Sequence, residues 1–208
     1  MADRFPFVIN DVAEEDIWIN FFKSMAHLDT NTLLNFRLVS RDWRDCIDRY
    51  SPLWSRVSLM KAVLRNNIDM VQLIVEHAKD KNPKDEIGRT PLHTAAFNGH
   101  IDICQLIMDQ VEEKNPKNDK GYTPLHEAAR KGHLEICRLI MDQVADKNPA
   151  NVGGYTPLHW AAGFGHLEVC ALIMDQVEEK NPVSQLGLTP LSLAKSKAII
   201  QLINSRLG

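Results

Sequence analysis

Three histidine–cysteine pairs carry the residue types most open to chemistry. His100/Cys104, His133/Cys137 and His166/Cys170 stand four residues apart. On a helix that spacing puts both side chains on one face, where imidazole and thiolate can share a zinc ion. Each pair would need two more ligands. Threonine and histidine in the segments at 90–93, 123–126 and 156–159, all reading TPLH, have the types of a nucleophile and its base. The segment recurs identically, however, and helix capping accounts for both residues. Glu112-Glu113 and Glu178-Glu179 read most simply as solvated helix ends. No glycine-rich phosphate loop is present, and Gly153-Gly154 reads as a turn. No catalytic residue, metal or other cofactor is expected.

What positions these residues is a period. Eight of the ten prolines fall into two series, Pro83, Pro116, Pro149, Pro182 and Pro91, Pro124, Pro157, Pro190, each stepping by 33. Units at 88–120, 121–153 and 154–186 follow a degenerate one at 55–87, and a shorter unit closes the chain at 187–208. The units at 121–153 and 154–186 agree at 22 of 33 positions, which shared composition alone does not produce. Such a period marks a stacked array of supersecondary units. Within a unit, Thr123 is a natural N-cap and Pro124 suits the first helical position. Leu125, Ala128 and Ala129 give a short helix that Gly132 stops. Leu134, Ile136, Cys137, Ile140, Met141 and Val144 then keep helical spacing, up to Asn148-Pro149, and an extended turn follows. In the degenerate unit Leu59, Ala62, Ile68, Val71, Leu73 and Ile74 keep the apolar phase.

Composition sets further bounds. With 44% apolar residues and a net charge of −3, the chain can bury a core and is not of the disordered class. No basic surplus points to nucleic acid. No apolar run reaches the roughly 18 residues of a membrane span, and MADRFPFVINDVAEED has acids where a secretory signal is apolar. Cysteines at one phase of stacked helices, about 8–10 Å apart, are too distant to bridge, and Cys46 is far away in sequence. Free thiols predict the cytoplasm or the nucleus, including a host cell's cytoplasm should a pathogen make the protein.

The repeating G-x-TPLH-x-AA-x-x-GH pattern closely resembles the ankyrin repeat. That resemblance implies an all-α solenoid that binds other proteins. It assigns His93, His126 and His159 to hydrogen bonds between neighbouring repeats, and the cysteine phase to the core. Two features depart from the pattern. Val111, Val144 and Val177 stand where glycine usually follows the second helix, which predicts a longer second helix. The last unit has Ser192 for the histidine and lacks three residues before Ile199, as a terminal cap does.

The first 54 residues have no partner in the period. Leu28, Asp29, Leu33, Leu34, Leu38, Val39, Ser40, Trp43, Arg44 and Trp54 stand in the register of the F-box, which this segment resembles. The customary Leu-Pro opening is absent. The resemblance implies a small three-helix unit, 1–54, fused to the ankyrin domain, 55–208. It also implies a role as substrate-recognition subunit of an SCF-type cullin–RING ubiquitin ligase, non-catalytic in itself. Ile17, Phe21, Phe22, Met25, Leu28, Leu33, Leu34, Leu38, Val39 and Trp43 would bind the SKP-type adaptor, and through it a cullin. Two other readings stand beside it: a helical cap on the stack, and an ankyrin scaffold or inhibitor unconnected with ubiquitin. Repeat phase begins directly after Trp54 with no flexible linker, which predicts a rigid join. No membrane or nucleic-acid partner is expected, and outside the complex the chain should be a monomer.

Aligned units separate constant positions from variable ones. The latter are Arg89/Tyr122/Tyr155, Thr94/Glu127/Trp160, and the pairs Phe97-Asn98, Arg130-Lys131 and Gly163-Phe164. In ankyrin proteins these phases face the concave groove. Tyr122, Tyr155, Trp160 and Phe164 would form an aromatic zone of interface anchors, unless they only cover neighbouring repeats. Arg89, Arg130 and Lys131 beside it predict a partner segment with an acidic and an apolar part.

Overall fold

The computed structural model describes residues 59–207, Lys79 excepted, without the side chains of Leu73 and His77. The F-box-like unit at 1–54, all its adaptor-facing residues, Cys46 and the junction at Ser55 lie outside the described residues. Those described are helix and turn, with no strand.

Residues 59–64 are helical, and α1, Ile68–His77, follows. Three helix pairs succeed it: α2, Pro91–Asn98, with α3, Ile101–Met108; α4, Pro124–Lys131, with α5, Leu134–Met141; and α6, Pro157–Phe164, with α7, Leu167–Gln176. The closing unit holds α8, Pro190–Leu193, and α9, Lys197–Leu207. The first helices stack as α2, α4, α6, α8, and the second helices as α1, α3, α5, α7, α9.

TPLH is a capping device with a proline start. Threonine is the N-cap, proline takes the first turn, and histidine at the third helical position reaches back to the N-cap backbone. Histidine thus does what Glu or Gln does in the usual capping box. Leu92, Ala95 and Ala96, with their equivalents, are wholly buried, as are Ile103, Cys104, Ile107 and Met108. The alanines let neighbouring first helices approach closely. In the degenerate unit Leu59, Ala62, Val71 and Ile74 are buried. Ile68 is not: it stands at the first position of α1 and is 37% exposed.

The second helices stop short of the valines, α7 running two residues further than α3 and α5. α3 and α5 end at Met108 and Met141, and α7 ends at Gln176 with Val177 as an extended C-cap. Val111, Val144 and Val177 follow the helices and pack half-buried against the core. A lysine at a fixed phase meets the last turn of each helix. The ammonium groups of Lys114, Lys147 and Lys180 donate to the carbonyls of Met108, Met141 and Met174. Lys81 does the same to Val75, at 2.8 Å. A cation on the last-turn carbonyls answers the helix dipole; α3 and α5 end at the carbonyl so met, whereas α1 and α7 run two residues past it. The next residue caps the following repeat. Oδ1 of Asn82, Asn115, Asn148 and Asn181 accepts from the N–H of Leu92, Leu125, Leu158 and Leu191, at 3.0–3.1 Å.

Turns join turns directly. The Asp119, Val152 and Gln185 N–H groups donate to the carbonyls of Ile87, Lys120 and Gly153, at 3.3, 3.1 and 3.0 Å. The last unit is a truncated repeat. Ser192 replaces histidine in the capping box, α8 is one turn long, and Ala194 turns extended after it. Among the described residues no helix is long and apolar enough to cross a membrane.

Candidate functional site: an aromatic face across three repeats

The site is carried by the turns and the first helices. Each turn is set by an Asx or Ser residue: Asn118 Oδ1 accepts from Lys120 and Tyr122 N–H, at 2.9 and 3.0 Å, and Asn151 Oδ1 from Gly153 and Tyr155 N–H, both at 2.9 Å. This fixes the backbone of Tyr122 and Tyr155. Their carbonyls then receive the histidines of the preceding repeats. His93 Nε2 lies 3.0 Å from the Tyr122 oxygen, His126 Nε2 3.0 Å from that of Tyr155, and His159 Nε2 3.1 Å from that of Leu188. Nδ1 of each ring faces the N–H of its own N-cap threonine, at 3.0–3.2 Å. One nitrogen must accept and the other must donate, so each ring is neutral with its proton on Nε2. Burial, the larger cause, pushes His93 and His126 down to about 4, and lowers His159 as well.

On this frame the aromatic residues converge. Trp160 has its ring centroid 5.7 Å from Tyr122, 6.1 Å from Tyr155 and 5.9 Å from Phe164. Arg130 lies over three rings, with Cζ 5.9 Å from Phe97, 5.7 Å from Trp160 and 5.6 Å from Phe164. Lys131 Nζ stands 4.3 Å from the Phe97 centroid. Glu127 reaches Arg130 at 4.0 Å. Burial raises the Glu127 carboxyl, and the charges of Arg130, Arg89 and Lys131 oppose the rise. Burial likewise raises the Tyr122 hydroxyl. The cluster thus joins Phe97 from one repeat, Tyr122, Glu127, Arg130 and Lys131 from the next, and Tyr155, Trp160 and Phe164 from the third. Phe164 remains 54% exposed.

Two of the residues singled out by alignment turn elsewhere. Arg89 is held by Asp85 in its own turn, Nε to Oδ2 at 3.0 Å. Asn98 donates to the Thr94 carbonyl of its own helix, at 2.8 Å. The supporting residues Asn118 and Asn151 escaped the alignment; an Asx residue four before each tyrosine was their signal. In the three histidine–cysteine pairs the thiol belongs to the buried core. The three thiols are free and buried, and burial pushes them up to about 12. His133 and His166 Nε2 instead bond the Phe97 and Arg130 carbonyls, at 3.1 and 3.0 Å. Among the described residues no cluster of three or more potential ligands could hold a metal. A separate depression of about 320 Å³, with Glu112, Glu113, Lys117 and Asp146 in its wall, includes none of the aromatic residues.

A family model described as ankyrin repeats (3 copies) matches residues 38–117, 59–151 and 110–184. The first match begins inside the segment that resembles an F-box, and no F-box family model matches. No curated protein matches.

Proposed function

The chain belongs to the ankyrin-repeat family, and on that premise we propose that it is the substrate-recognition subunit of an SCF-type cullin–RING ubiquitin ligase. Ankyrin repeats indicate a protein–protein interaction scaffold. The reading adds that the aromatic face holds the substrate, while residues 1–54 dock on an SKP-type adaptor and through it on a cullin. The chain itself contributes no catalytic group; transfer is left to the rest of the ligase.

One observation carries the substrate half. Residues of the core repeat from unit to unit, while Trp160, Phe164, Tyr122 and Tyr155, at positions that change, meet on one face beside two cations. A stack needs no such cluster in order to stand. The ligase half rests on sequence alone: Val39-Ser40 followed by Trp43-Arg44, with Leu33-Leu34 before and Trp54 after. Free, buried thiols fit a reducing compartment, cytoplasm or nucleus.

A second reading has its own support. Since the first ankyrin match starts at residue 38, residues 38–58 read equally as the opening of the stack, and the chain as a scaffold or inhibitor outside ubiquitination. Adaptor binding separates the two. The full chain, mixed with purified SKP-type adaptor at micromolar concentration, should co-elute with it from a sizing column. Separate elution would leave the scaffold alone standing.

A further inference from the structure

The aromatic face carries two cations that no close ion pair among the described residues engages. Arg130 lies at the end of α4 with Phe97, Trp160 and Phe164 around it at 5.6–5.9 Å. Its one carboxylate contact among the described residues is Glu127 at 4.0 Å, far longer than the roughly 2.7–2.9 Å of a committed arginine–carboxylate pair. A guanidinium set against rings still offers the N–H donors along its edge. Lys131, next in the chain, rests on Phe97; among the described residues it forms no ion pair. Both residues are exposed.

Several cations elsewhere are engaged. Arg89 is bound to Asp85 at 3.0 Å, and Arg206 to Asp175. Lys81, Lys114, Lys147 and Lys180 sit on helix-end carbonyls. A further donor lies within the cluster: the Trp160 indole N–H is buried and has no acceptor among the described residues.

We infer that the partner is a peptide segment with an acidic side chain beside an aromatic or large apolar one. Its carboxylate meets Arg130 and Lys131, and its apolar group lies on Trp160 and Phe164. This rests on the reading that the aromatic face binds protein. Charge complementarity names the partner's chemistry. Cation and ring already touch, so an acid and an apolar group arriving together are both met at once. A basic segment would be repelled by both cations.

Short random peptides displayed on phage, selected on the immobilised full chain, test this. Enriched sequences should place Asp or Glu within a residue or two of Trp, Phe, Tyr or Leu. Their binding should weaken about thirtyfold with Trp160→Ala, about tenfold or more with Lys131→Gln, and further as ionic strength rises. Lys131→Gln alters an exposed ammonium, and an unchanged melting curve confirms that it folds. Neutral or basic peptides that need Trp160 but ignore Lys131→Gln overturn the acidic partner and leave the binding face intact. Peptides indifferent to both substitutions, or no peptide at all, overturn the binding face itself.

Discussion

Trp160 meets tyrosines of two repeats at a tilt and is also partly exposed, so its removal has two readouts. As an interface anchor, Trp160→Ala should cost about 2 kcal/mol of affinity for a selected peptide, measured by calorimetry; a loss of a few tenths would make the ring mere cover for its neighbours. Two glycines give a cleaner contrast. Gly132 and Gly165 close α4 and α6 in the same left-handed conformation, φ +78° and +89°. A Cβ on Gly132 would stand 2.4 Å from His166 Nδ1, whereas one on Gly165 meets nothing within 4 Å. Gly165→Ala should therefore cost only the conformational penalty, roughly 1 kcal/mol. Gly132→Ala should cost about 2–3 kcal/mol, since the ring must move and its bond to the Arg130 carbonyl goes with it. Equal urea midpoints for the two would refute the contact. The aromatic residues of the site were legible because they occupy the positions at which aligned units differ. The engagement of Arg89 was not: a cation four residues after an aspartate looks free in sequence until the turn folds them together.

Helix starts were legible, because Thr-Pro with histidine at the third position is a local device that needs no tertiary context. The ends of the second helices were not. Met141, Gln143 and Val144 continue an acceptable helical pattern, and valine in the glycine position argues for continuation. What meets each helix end is an ammonium group six residues beyond the carbonyl it contacts, a distance at which no short-range pattern marks the pair. If Lys147 is the stop for α5, Lys147→Met keeps the buried part of the stem but leaves the Met141 carbonyl uncapped. The expected loss is about 1 kcal/mol, read as a lower urea midpoint at unchanged slope. Lys120→Met, on an exposed turn residue, should change the midpoint by no more than a few tenths. Equal effects would show that the cap contributes nothing. The terminal unit was legible as a cap from Ser192 and its three missing residues, and its one-turn α8 follows from both.

One of the bonds repeated across the stack titrates, which makes the molecule answer pH as a unit. His93, His126 and His159 each link a helix start to the next repeat's turn through a neutral ring. Protonating Nδ1 would set a proton against the threonine N–H it now accepts from. In the unfolded chain such a ring takes up its proton near the ordinary 6.5; in the stack, His93 and His126 do so only near about 4. Above 6.5 both states are neutral and the stabilisation is complete. As the pH falls from 6.5 towards 4 the unfolded state binds protons that the folded state refuses, and stability drains away. Below 4 the loss levels off, having reached roughly 3 kcal/mol for each of these two rings. Because each ring ties one repeat to the next, the loss should appear as one cooperative transition shared by the repeats rather than as fraying at an end. Urea midpoints taken at intervals from about pH 7.5 to 4.5 should fall most steeply below 6.5, ahead of the range in which unperturbed carboxylates titrate. A midpoint flat to pH 5 would mean that the rings accept protons in place. His126→Gln, which can keep the capping contact without a titrating group, should flatten the slope; a variant with the full slope would move its origin to other groups.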